Sequence, residues 1–106
     1  MVLSKITTGI REVTVSNSTP DLISNTKENI NTERIRLILV NTSTGGQTIR
    51  IGIDSEPTSG IGIPLYPGGS ITWEKTNPSF PIMQKMVYAL SSAVGGTLSI
   101  YEEVVI

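Results

Sequence analysis

The chain has 106 residues, a net charge of −1, 38% apolar and only 16% charged residues, and neither histidine nor cysteine. This length holds one domain, residues 1–106, with a single core that needs no metal or disulfide to close it. The missing residue types exclude disulfides, thiolate chemistry, zinc–thiolate sites, histidine bases and Ser-His-Asp machinery. No basic run supplies an electrostatic footprint for nucleic acid. The amino terminus, MVLSKITTGIREVTV, carries no apolar run of signal-peptide type, and no stretch reaches the roughly 18 apolar residues of a membrane span. Synthesis in the cytoplasm, with no membrane partner, is the expectation.

Residues 1–10 read as a candidate flexible or subunit-contacting arm, and REVTVSN (11–17) as the first strand. PDLIS (20–24) is a short strand. NTKENINTE (25–33) is a polar connection with room for at most a brief helix over Thr26–Asn31. ERIRLILVN (33–41) is a strand with Ile35, Leu37 and Leu39 on one face and Arg34, Arg36, Ile38 and Val40 on the other. QTIRIGID (47–54) alternates with period two, Ile49, Ile51 and Ile53 against Thr48, Arg50 and Gly52. Gly45-Gly46 between these two strands predicts a hairpin.

Ser55–Gly60 is a loop by composition. IGIPL (61–65) places Ile61, Ile63 and Leu65 on one face, and SITWE (70–74) pairs Ile71 with Trp73, which reads as core. Between them YPGG predicts a type II turn, with φ preset by Pro67 and made positive at Gly68, and hence a second hairpin. TNPSFPIMQ (76–84), broken by two prolines, is a crossing loop. KMVYALSS (85–92) and TLSIYEEVV (97–105), joined through AVGG, predict a third hairpin. Seven or eight short strands with turns every 8–12 residues predict an antiparallel sandwich or small barrel.

Little in the chain suggests catalysis. No motif sets Lys5, Lys27, Lys75 or Lys85 beside an activated serine. Asp54 and Glu56 read as a solvated turn, with a contribution to a calcium loop as the lesser alternative. Glu102 and Glu103 are strand neighbours, so they face opposite ways and do not act together. Gly60-x-Gly62 lacks the rest of a dinucleotide fingerprint. The expectation is a non-enzyme with no cofactor and no metal site. Asn17 and Asn41 begin Asn-x-Ser/Thr triplets, read as chance in a Thr/Ser-rich chain. Of the aromatic residues, Trp73 and Phe80 aside, Tyr66, Tyr88 and Tyr101 form a candidate glycan platform, with Tyr88 and Tyr101 a cross-strand pair on the third hairpin.

The phrases RIRLILVNTS, GIPLYPGGSITWE, VYALSS and GGTLSIYEE, within residues 11–103, resemble small virion-associated β-sandwich proteins of tailed phages and of turreted icosahedral archaeal viruses. The combination of PLYPGGS with VYALSS upstream of GGT carries most of that likeness. The resemblance implies an antiparallel, jelly-roll-like β-sandwich and a non-enzymatic decoration, turret, collar or fibre-base role. It also implies homo-oligomers and other virion proteins as partners, and residence in the virion. A carbohydrate- or receptor-binding module of a viral fibre, contacting host-surface glycan, is the alternative expectation.

Overall fold

The computed structural model describes residues 6–24, 33–74 and 86–105, and none of them is helical. Eight strands follow in order: β1 (Ile6–Thr14), β2 (Asp21–Ser24), β3 (Glu33–Asn41), β4 (Ile49–Ile53), β5 (Ile63–Leu65), β6 (Ser70–Glu74), β7 (Val87–Ser91) and β8 (Thr97–Val105). They form two antiparallel sheets of four, a front sheet ordered β1-β8-β3-β6 and a back sheet ordered β2-β7-β4-β5. The β-sandwich predicted from strand spacing is the observed architecture.

The connectivity is that of a long ribbon rolled on itself. The pairs β1/β8, β2/β7, β3/β6 and β4/β5 are those of one hairpin with arms β1–β4 and β5–β8. Rolling that ribbon adds the closing pairs β3/β8 and β4/β7. The three predicted hairpins are therefore not formed: β3 and β4, β5 and β6, and β7 and β8 each lie in opposite sheets. A turn sequence fixes that the chain reverses but not the plane in which it does so. Burial decides the plane. Leu37, Leu39, Leu98 and Ile100 line the inside of the front sheet and Ile49, Ile51, Val87 and Ala89 that of the back sheet, all at most 1% exposed. Paired side by side, two such stripes would still need a cover; facing each other about 10 Å apart, they bury one another. Ile71 and Trp73 pack against this core from β6, as predicted.

All three glycine-bearing crossings meet at one end of the sandwich, together with the β1–β2 loop. The predicted type II turn is present: Gly69 N donates to Tyr66 O at 2.7 Å, and Gly68 has φ +81°. Its outer side is bound to the end of β3, where Gly68 N donates to Asn41 O and Asn41 N to Gly69 O. Asn41, 1% exposed, also donates through Nδ2 to the carbonyls of Gln47 (2.8 Å) and Leu65 (2.7 Å), and its Oδ1 accepts from Ser43 N. One side chain thus ties three segments together, and an amide so enclosed leaves no room for a glycan.

The remaining expectations divide by location. Residues 6–10 of the candidate arm are the first half of β1, in register with β8 from Ile6↔Val105 onwards. Residues 1–5, the brief helix over 26–31, the crossing loop 76–84 and Phe80 lie outside the described residues. Ile61, expected in a strand, instead belongs to the β4–β5 loop. It is 69% exposed, and its backbone bonds to Thr58.

That loop folds back over β4. Asp54 enters it at φ 56° and Gly62 leaves it at φ 134°, and Pro57 is buried against Gly52. A Cβ on Gly52 would lie 2.0 Å from Ser55 O and 2.8 Å from Pro57 Cδ. Gly52→Val should therefore cost about 1–3 kcal/mol through overpacking, read as a lower denaturation midpoint. Gly60→Ala, with nothing within 4 Å of the new atom, should stay near wild type.

Candidate interaction surfaces

The back sheet turns Leu22, Arg50, Gly52, Tyr88 and Leu90 outward, because their neighbours Ile23, Ile49, Ile51, Val87 and Ala89 face the core. The folded-back loop makes a wall across part of this face. Arg50 holds that wall in place, donating from Nε to Ser59 O at 3.1 Å and from Nη1 to Gly62 O at 3.4 Å. Between the wall and β7 lies an open cleft of about 220 Å³, lined by Thr48, Arg50, Thr58, Ser59, Tyr66 and Ser92, with Leu90 and Ser91. Its chemistry is a row of hydroxyls, a guanidinium and one phenol ring. These groups are fitted to hydrogen-bond a small polyol or anion, and among the described residues no carboxylate lines the cleft. A shallower depression beyond Thr58 and Leu90 is lined by Asn17, Pro20 and Glu56, among others.

The predicted tyrosine platform is not assembled. Tyr66, 64% exposed, stands at the cleft. Tyr88 projects from the outer face of the back sheet, opposite Gly52 on β4 and Leu22 on β2. Tyr101 projects from the outer face of the front sheet, opposite Ile10 and Ile38. Tyr88 and Tyr101 are thus on opposite sides of the molecule, and the expected cross-strand pair fails because β7 and β8 never pair. Asp54 and Glu56 are both exposed in the β4–β5 loop. Among the described residues no three acidic, histidine or cysteine side chains cluster as a metal site.

The outer face of the front sheet presents three rows across its strands. One runs Ile10–Tyr101–Ile38–Thr72 and a second Glu12–Ser99–Val40–Ser70. The third, Thr8–Glu103–Arg36–Glu74, is charged, and in it Arg36 bonds Glu103 at 3.0 Å and Glu74 at 3.2 Å. Such exposed pairs are worth about 0–1 kcal/mol each and serve to order the surface. Ile10 is 74% exposed, the open end of an apolar row.

Glu102 behaves differently from its neighbour, as strand alternation requires. It points between the sheets, where Oε1 lies 2.6 Å from Arg11 Nη1 and Oε2 accepts from Ser24 Oγ at 2.6 Å. Ser24 in turn accepts from Arg34 Nη1, whose own distance to Glu102 is 3.9 Å. Arg34, 3% exposed, was expected on the outer face. A bulge between Arg34 and Arg36 turns it inward. Burial lowers the affinity of its guanidinium for the proton, and the charge of Glu102 opposes that shift. A positive charge held there disfavours folding by desolvation, and Glu102 offsets part of that cost.

No family model matches the chain, and no curated protein matches it. Solved structures do. A chain from the Bacillus endospore appendages, a novel family of disulfide-linked pili, superposes with a TM-score of 0.63 at 17% identity, covering 96% of this chain and 86% of that one. At this identity the likeness shows a shared fold. A chain of the cyanophage Pam1 capsid asymmetric unit matches at a TM-score of 0.38 and 12% identity, over 97% of this chain and 84% of that one, too loosely to support an argument. The structural neighbours thus include a spore pilus protein and a phage capsid chain.

Proposed function

We propose that this chain is a non-enzymatic building block of a virus particle, a jelly-roll-like decoration, turret or collar component. It would be made in the host cytoplasm and would work through contacts with copies of itself and with other virion proteins. The observation that carries this reading is the outer face of the front sheet, where an apolar row ends in the exposed Ile10 beside a row of paired charges. The resemblance in PLYPGGS, VYALSS and GGT supports the viral setting. The endospore neighbour is a disulfide-linked pilus. With no cysteine in this chain, assembly of its copies would rest on non-covalent contacts. Mass spectrometry of purified particles should find the chain in a fixed ratio to the major capsid protein. Finding it only in the soluble fraction of infected cells would remove the proposal.

A second reading rests on the cleft beside Tyr66. An exposed ring bordered by hydroxyls and an arginine is the chemistry that receives a sugar, and here it would take host-surface glycan. Tyr66→Ala should leave stability within about 0.5 kcal/mol of wild type, as for other exposed sites, and abolish any signal on a glycan array. An array blank for the wild type dismisses this reading.

A further inference from the structure

We propose that β1 is a self-pairing edge: two copies join β1 to β1, antiparallel, about a twofold axis through Ile10, making one eight-stranded sheet from two front sheets. This deepens the assembly role proposed above and rests on it only for the purpose that the pairing serves.

Among the described residues four strands form the sheet edges; two carry features that discourage further pairing, and a third is little more than half the length of β1. β5 has three residues with Pro64 at its centre, β2 has four with an irregular register between Leu22 and Ser24, and β6 has five. β1 has nine residues, no proline and an unbroken register with β8 from Ile6↔Val105 to Thr14↔Thr97. Alternate N–H and C=O groups of β1 point away from β8, and among the described residues no strand receives them. A long, regular edge of this kind is a template for another strand, and its inward-pointing charge, Arg11, is already engaged by Glu102 and Ile23 O.

The sequence of the edge selects a second copy as the occupant. Ile10 is the central residue of Ile6–Thr14. A twofold axis there sets it against the partner's Ile10, Gly9 against the partner's Arg11, and Thr8 against the partner's Glu12. No like charges meet. An axis through Arg11 or Glu12 would oppose identical charges, and one through Gly9 would leave Ile10 against threonine. With the axis at Ile10, the apolar row Thr72–Ile38–Tyr101–Ile10 continues into its own copy across the joint sheet. Such self-complementarity is what an isologous interface demands.

The chain has no cysteine, so introduced thiols report on this geometry alone. Cα atoms opposite each other in an antiparallel pair stand about 4.5–5.5 Å apart, within the span of a disulfide. Ile10→Cys should cross-link at least ~10 times faster than Val94→Cys, placed on an exposed turn outside the β1 edge. A mixture of Thr8→Cys and Glu12→Cys chains should cross-link faster than either alone. In sedimentation equilibrium at about 100 μM, suited to a small edge interface, the wild type should be dimeric. Ile10→Lys should raise the dissociation constant at least ~10-fold by setting like charges face to face. The proposal is overturned by a monomeric wild type with no preferential cross-linking at position 10. It is overturned equally by a dimer indifferent to Ile10→Lys, or by Thr8→Cys cross-linking with itself as readily as with Glu12→Cys. A chain absent from particles yet dimeric through Ile10 would sink the virion role and leave the pairing standing.

Discussion

Glu102→Ala is expected to lower the free energy of unfolding by about 3–5 kcal/mol, because it removes the carboxylate that offsets the desolvation of a buried cation. Arg34 is 3% exposed and reaches Glu102 both directly and through Ser24. Without the carboxylate its guanidinium keeps the cost of desolvation and loses the charge that offsets it. Arg11, at the strand edge, regains water and contributes little to the loss. The double variant Arg34→Met, Glu102→Gln should therefore be more stable than Glu102→Ala alone, although it breaks more of the network. Urea denaturation of the three proteins checks this. A double variant no more stable than the single one would mean that Arg34 is not the source of the penalty.

Asn41→Ala is the second large effect, at roughly 3 kcal/mol. It leaves the carbonyls of Gln47 and Leu65 and the N–H of Ser43 without their partner, at about 1–3 kcal/mol for each group that water cannot reach. Asn41→Asp adds a test of sign. The new carboxylate would face two carbonyl oxygens, so its folded-state pKa would lie above the unfolded value. Its penalty should then grow as the pH rises through the carboxylate range and be smallest in acid, where the protonated group can still donate one bond. Thermal melts at pH 4 and pH 7, compared with wild type at each pH, read this directly. An equal penalty at both would show that the amide's donor role is not what holds the three segments.

These two residues also mark where the sequence was readable and where it was not. β3, β8 and the turn Tyr66–Gly69 are local features, set by alternation and by proline and glycine chemistry, and they stand where the sequence puts them. The opposed directions of Glu102 and Glu103 follow from the same alternation. Pairing is a tertiary choice, made by which apolar stripes cover each other, and the glycine pairs are silent about it. Arg34 turns inward only because one extra residue bulges from β3 opposite β8, and nothing in ERIRLILVN announces that residue. Asn41 looked like part of a chance triplet because its work depends on two carbonyls far along the chain. The Arg50 cleft was missed for a similar reason, since it exists only once the β4–β5 loop has folded over Gly52. Ile10 fell within the stretch read as an arm, and its weight comes from lying at the middle of a strand that forms a sheet edge among the described residues.

The register Ile6↔Val105 has a consequence for biosynthesis. β8, an inner strand flanked by β1 and β3, is synthesised after the other seven described strands. Until it emerges, β1 lacks its sheet neighbour β8, and β3 has only β6 beside it among the described strands. The front sheet therefore closes only once residues 97–105 are available, and its closure is governed by the search for distant partners. A nascent chain stalled before Thr97 should be cut readily by protease, whereas the released protein should resist.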